Sequence, residues 1–254
     1  MTRRQAAWLP MIRSRFAAAV AALGLASAGL AVSNPALAIP EDQALRKLEV
    51  IPVFVLVDEN GLPLPIPREK DLLLPLYLES SAANQQLNGL KKSNPTLKVS
   101  VAAVPLNVMN TKITELNKQL KDKTKPFVAP IVVGTADRQQ ALTLLKAQGL
   151  TEKQINEGLS VPVFFTKPFL TITTPQGPRG VFYLSYQDMQ AGIAKLPAAD
   201  RDKLKPQVAD ISAVLREIIK AKDDNFVIYP TTEYFRLVQE TQAKQGKGTP
   251  PAKP

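Results

Sequence analysis

The 254-residue sequence contains neither histidine nor cysteine. Together these absences remove thiol redox chemistry, disulfides, Cys/His metal centres and the Ser-His-Asp triad. No serine is followed three residues later by lysine, so the common Ser–Lys signature is missing as well. No glycine-rich phosphate loop of the Walker or dinucleotide type occurs. The carboxylate pairs Asp58/Glu59, Asp200/Asp202 and Asp223/Asp224 sit in turns or polar connections. A hydrolytic pair needs carboxyls held across a cleft, so these read as turn formers. Neither an enzyme nor a cofactor is expected. What is abundant is apolar surface: 45% of residues are hydrophobic, and packing alone must hold the fold.

Acids are absent from the first forty residues, where Arg3, Arg4, Arg13 and Arg15 precede an uncharged Ala- and Leu-rich run, 16–32. Ala36-Leu37-Ala38 follows, the small-x-small pattern of a signal-peptidase site, and Glu41 is the first acid. The apolar run is shorter than the roughly 20 residues of a spanning helix. Residues 1–38 are therefore expected to be a secretory signal, cleaved after Ala38. Four arginines and no acids leave with it, so the formal charge of +10 falls to +6. The remaining lysines are scattered among acids and polar residues rather than gathered in a stripe with interleaved aromatics, which argues against a nucleic-acid partner. No later apolar run approaches spanning length, so no integral span is expected after cleavage.

The stretch "IPVFV" at 51–55 recurs as "VPVFF" at 161–165. Each is followed by a Pro/Gly-rich turn region and a second apolar segment, "LLPLYLE" and "GVFYLS", which predicts two β-hairpins. At an offset of 106, Leu76 falls on Phe182, Tyr77 on Tyr183 and Leu78 on Leu184; Ala83, Leu87 and Leu90 then fall on Met189, Ile193 and Leu196 at helical spacing. Ser185-x-x-Asp188 caps the second helix. "SVAAVP" (100–105) and "NFVIYP" (225–230) form a third correspondence, each a strand stopped by proline and followed by an amphipathic helix.

The expected fold is α/β (α+β): two pseudo-symmetric lobes, each a hairpin followed by helix, strand and helix, with mixed sheets packed on helices. The domain covers 39–243, with repeats at about 50–120 and 160–240. A strand at 127–133 and a helix at 135–148 break the symmetry, and a helix at about 208–221 reads as an insertion into the second copy. The tail 244–254 lacks apolar periodicity and is expected to be disordered.

Strand side chains alternate between faces, and these strands carry bulky residues on both. Most belong to a core; the remainder leave an apolar groove for a partner. The candidate peptide-binding residues are Phe165, Phe169 and Phe182 in the second unit, with Leu76 as the counterpart of Phe182 in the first.

The leader, "IPVFVLVDENGLPL", "VAPIVVGTADRQQALTLLKAQG", "VPVFF", "YLSYQDMQAGIAKL" and "NFVIYPTTEYFRLV" together resemble the Tic-twenty-two family over about 41–240. That family comprises an intermembrane-space component of the chloroplast inner-envelope import translocon and cyanobacterial periplasmic homologues. The resemblance implies a pseudo-twofold α/β fold and a non-enzymatic, chaperone-like role with unfolded precursor or outer-membrane proteins as clients. It also implies a link to the outer-membrane barrel-insertion machinery. The bacterial-type leader points to the periplasm rather than a plastid. The alternative is an adaptor that docks on a membrane complex without binding clients.

Overall fold

The structure, a computed structural model, describes residues 39–221 and 223–245. The leader 1–38 with its cleavage site, and all but the first two residues of the 244–254 tail, lie outside the described residues.

A short helix α1 (Glu41–Arg46) and a 3-10 turn lead into β1 (Pro52–Asp58). The Asp58 carboxylate stops this strand by accepting from the backbone N–H groups of Asn60 and Leu62 at 2.9 and 2.8 Å. Gly61 completes the turn at φ +74°, where a side chain would be strained. Three two-residue strands follow, β2 (Ile66–Pro67), β3 (Leu72–Leu73) and β4 (Leu76–Tyr77). Then come α2 (Ser80–Ser93), β5 (Val99–Pro105), α3 (Leu106–Gln119), β6 (Phe127–Val128), β7 (Ile131–Val132) and α4 (Thr135–Ala147). Gly149, at φ +88°, ends α4 as its position after the apolar periodicity foretells.

The second half begins with α5 (Glu152–Gly158), opened by a reciprocal capping box of Thr151 and Gln154. It continues through β8 (Pro162–Lys167), β9 (Thr171–Thr174), β10 (Gly177–Tyr183) and α6 (Tyr186–Ala194). The Ser185 hydroxyl caps α6 by accepting from Asp188 N. The last elements are α7 (Ala198–Arg201), β11 (Lys205–Asp210), α8 (Ile211–Lys220), β12 (Phe226–Tyr229) and α9 (Thr232–Gln245).

Two sheets carry the fold, ordered β5-β1-β4-β7 and β11-β8-β10-β12, with β9 paired to β10. In the first, β1 is antiparallel to β5 and β4, and β4 is parallel to β7. In the second, β8 is antiparallel to β11 and β10, and β10 is parallel to β12. Order and directions therefore agree element by element. Phe54 faces Tyr77 as Phe164 faces Tyr183, at the offsets of 110 and 106 read from the sequence. A small third sheet, β2-β3-β6, lies beside the first.

Three sequence expectations change. "SVAAVP" does not correspond to "NFVIYP": β5 lies antiparallel to β1, where β11 lies against β8, whereas β12 runs parallel to β10 as β7 does to β4. The helix expected over 208–221 is not an insertion, because 205–210 forms the strand that occupies the place of β5. Nor do 127–148 break the pattern, since β7 and α4 occupy the places of β12 and α9. The cause is local. Lys205-Pro206-Gln207 hides a strand behind polar residues, while a terminal proline makes two unrelated strands look alike. The hairpins are also looser than expected, because β2 and β3 intervene between β1 and β4, and β9 between β8 and β10.

One core joins the two sheets. Val53, Val55, Val57 and Leu76 of the first meet Val161, Val163, Phe182 and Leu184 of the second, with Met109 and Ile113 of α3 and Val214, Leu215 and Ile218 of α8. Period-two alternation sends the intervening residues to the outer faces. On the second sheet Phe164, Val181 and Tyr183 meet Ala141 and Leu145 of α4 together with Met189 of α6. On the first, Phe54 and Tyr77 meet Ala83 of α2 and Leu237 of α9. The closing helices are thus exchanged: α4 packs on the second sheet, and α9 lays Leu237 against the first.

Candidate functional site

Four phenylalanines converge on the second sheet. Phe165 comes from β8, Phe169 from the turn after it, Phe182 from β10 and Phe226 from β12. Phe165 and Phe169 stack at 5.3 Å, and each meets Phe182 edge-on at 5.5 Å. Phe226 stands 5.3 Å from both Phe169 and Phe182. Such pairs contribute about 0.5–1.5 kcal/mol beyond their buried area.

Local chemistry places each ring. The buried Thr166 hydroxyl donates to Pro168 O and accepts from Leu170 N, both at 2.8 Å. That staple turns the chain after β8 and carries Phe169 back over β10. Gly180 stands beneath, and a Cβ there would lie 3.1 Å from the Phe226 ring and 3.3 Å from the Phe169 ring. The absent side chain is what lets both rings settle onto β10. Asp224 fixes the approach to β12 by accepting from Lys47 Nζ at 2.5 Å and Arg179 Nη1 at 2.7 Å, while Lys47 also donates to Phe226 O at 2.9 Å. The three charged groups are largely buried, so this clamp is screened less than a surface pair.

Phe165, Phe169 and Phe182 are therefore brought together, as the sequence proposed, but Phe182 is the floor of the cluster at 4% exposure. Phe165 and Phe169 are part-exposed above it. Leu76 comes from β4 of the other sheet and lies within the same shared core as Phe182, at 2% exposure. The reading of Leu76 and Phe182 as surface contacts is corrected accordingly. Their strand faces the joint core, which has room for bulky residues on both sides of each sheet because helices or the other sheet cover both. Phe226 was missed. Period two places it on the Ile228 face, but its meeting with Phe169 depends on the parallel pairing of β10 with β12, which no local pattern announces.

A second constellation lies where the exchanged helices begin. Asp137 Oδ1, in the first turn of α4, accepts from Tyr186 N at 2.8 Å and so caps α6. Glu233 Oε1, in the first turn of α9, accepts from Ser80 N at 3.2 Å and so caps α2. The two acids differ electrostatically. Burial raises the Asp137 pKa, with Glu79 and Asp188 adding to the effect against the Tyr186 hydrogen bond. Burial also pushes Glu233 up, but hydrogen bonds and charge from Arg236 and Ser80 outweigh it and leave its pKa lowered. Arg236 donates to Glu233 at 2.7 Å and to the Ser80 hydroxyl at 3.0 Å.

Among the described residues no group of three acids is placed to hold a metal ion. The carboxylate pairs noted in the sequence have structural partners: Asp58 closes a turn, Asp200 pairs with Lys203, and Asp224 holds the clamp.

Compared with known proteins, the chain matches the Tic22-like family over residues 3–240. Solved structures similar to it include two from different organisms. Anabaena Tic22, described as a protein-transport protein, is 23% identical, with a TM-score of 0.61 over 84% of this chain and 100% of that one. Tic22 from Plasmodium falciparum is 18% identical, with a TM-score of 0.61 over 79% of this chain and 98% of that one. At these identities the two structures share the fold. No curated protein matches the chain.

Proposed function

The chain belongs to the Tic22-like family, and from that premise we propose that it serves protein transport as a periplasmic, chaperone-like binder of unfolded precursor or outer-membrane polypeptides. Anabaena Tic22 is itself described as a protein-transport protein. One observation carries the client-binding part: Phe165, Phe169 and Phe226 form a part-exposed aromatic surface over a buried Phe182. Side chains that are already packed cost little further ordering when a client arrives. Fully burying a large apolar side chain is worth about 1.5–3 kcal/mol, so three rings that still show part of their surface can hold a chain moderately and without reading its sequence. The signal-like leader supports an exported location, and no described helix is long and apolar enough to cross a membrane.

The test is binding of a urea-unfolded outer-membrane protein, diluted into buffer, to the wild type and to a Phe165→Ser/Phe169→Ser double variant. Client affinity should fall at least tenfold in the double variant and survive 1 M salt, where screening shortens to roughly 3 Å. Equal binding by both proteins, or binding abolished by salt alone, refutes the aromatic mechanism. A wild type that ignores unfolded polypeptides refutes the client-handling reading and leaves the docking adaptor.

A further inference from the structure

β5 is the open edge of the first sheet. Pro52 stands opposite Pro105 on β1 and β5. Neither has an amide hydrogen, so that pair exchanges no backbone hydrogen bonds. Bonded and non-bonded pairs alternate along an antiparallel ladder. Val53/Val104, Val55/Ala102 and Val57/Ser100 therefore carry the bonds, and Leu106 N keeps the same phase by donating to Ile51 O at 2.9 Å. Val101 and Ala103 turn their N–H and C=O groups the other way, where no strand pairs with them among the described residues.

Edge strands are usually protected by charge or proline. From Val99 to Val104 this edge reads Val-Ser-Val-Ala-Ala-Val, with neither. The strand in the corresponding place, β11, is the opposite case. Ile211 N donates to Val161 O, so the outward residues of β11 are Pro206, Val208 and Asp210. Pro206 has no N–H to offer, and Lys205 and Asp210 add charge at each end. By order in the sheet, the place that Pro206 takes on β11 is held on β5 by Val101. β11 thus loses its outward donor at Pro206 and carries charge at both ends, whereas β5 keeps the outward donors of Val101 and Ala103 and has its proline, Pro105, only at the end of the strand.

The surroundings select the occupant. Lys91 and Lys92, both exposed, end α2, which packs against β5, and Lys98 directly precedes the strand, paired with Glu59 at 2.8 Å. We infer that the β5 edge receives, as an added strand, an extended uncharged segment of a client polypeptide flanked by acidic residues. Main-chain hydrogen bonds to Val101 and Ala103 supply the affinity, and Lys91, Lys92 and Lys98 near the start of the strand favour an acidic flank. This rests on the client-handling reading above and gives the client's conformation and charge.

The test uses the full-length chain and a labelled ten-residue peptide of alternating valine and threonine with two glutamates at each end. One twin has every second amide N-methylated, and another has lysines in place of the glutamates. The methylated twin should bind at least tenfold more weakly and the lysine twin severalfold more weakly. Ala103→Pro, which removes only an outward donor, should weaken the parent peptide at least tenfold with an unchanged thermal midpoint. If that variant folds poorly, the methylated pair still decides on the wild type. Equal affinity for methylated and unmethylated peptides overturns the inference. So does an unfolded outer-membrane protein bound equally by Ala103→Pro and wild type yet lost in the Phe165/Phe169 double variant, a result that leaves the client-handling reading standing. A monomer–dimer equilibrium abolished by Ala103→Pro assigns the edge to a second copy and overturns it too.

Discussion

Truncating the phenylalanine cluster ring by ring separates the floor from the surface. Phe182 is 4% exposed and touches the other three rings. Phe182→Ala removes buried apolar atoms and leaves a cavity that the neighbouring sheet cannot collapse into, at a cost of about 3–5 kcal/mol. For a chain of this size each kcal/mol moves the thermal midpoint by about 2–4 °C, so the midpoint should fall by roughly 6–20 °C. Phe169 also touches the other three rings but already shows part of its surface. Its truncation should cost about 2 kcal/mol, less than Phe182→Ala because part of the ring is already in water. The double variant should recover about 0.5–1.5 kcal/mol relative to the sum, because the Phe169–Phe182 pair is then counted twice. Urea melts followed by circular dichroism measure all three, with an unchanged m-value confirming that compactness is preserved. A Phe169→Ala cost equal to or above that of Phe182→Ala would falsify the assignment of floor and surface, and with it the use of Phe169 as a client contact.

Other outcomes follow from the geometry. Gly180→Ala puts a methyl within 3.1 Å of the Phe226 ring and should cost about 1–3 kcal/mol by overpacking, read as a lower urea midpoint. Asp224→Ala strips the carboxylate from Lys47 and Arg179 and should cost about 1–3 kcal/mol; a change within error means the clamp is idle. The acids at the exchanged helices should respond to pH in opposite senses. The lowered pKa of Glu233 makes it a stabilising group above the unfolded glutamate value, its contribution fading as pH falls through the folded value. The raised pKa of Asp137 makes its ionised form a liability that sets in as pH rises from the unfolded aspartate value through the folded one. Asp137→Asn keeps an acceptor for Tyr186 N and should raise the melting midpoint at pH 7, whereas Glu233→Gln should lower it; the reverse order in matched melts would sink this electrostatic account.

Much of the first half of each sheet was legible in the sequence because its signals are local. The alternation in "IPVFVLV" and "VPVFF", the Asp-Glu-Asn-Gly turn and the Ser185 cap each act within a few residues. The Phe54/Tyr77 and Phe164/Tyr183 pairs inherit their register from those segments. β11 was not legible, since Lys205, Pro206 and Gln207 follow the needs of an edge strand rather than apolar alternation. The exchange of α4 and α9 was invisible for a different reason. Ala141 and Leu237 mark an apolar helix face but not which sheet receives it. Bulky side chains on both faces of the hairpin strands point to three rings of the cluster. That pattern could not separate Phe182 from Phe169, because exposure depends on what the other half of the chain lays over the strand.

The exchanged helices set a clock on the chain. The outer face of the first sheet, with Phe54 and Tyr77, waits for Leu237, about 160 residues further along. At synthesis rates of about 5–20 residues per second, that wait lasts roughly ten to thirty seconds. Through that interval the amino-terminal half has strands but no finished cover, and the long loop to be closed slows completion further. A sheet whose outer face takes a side chain from α9 stays short of that contact until the second half of the chain has been made.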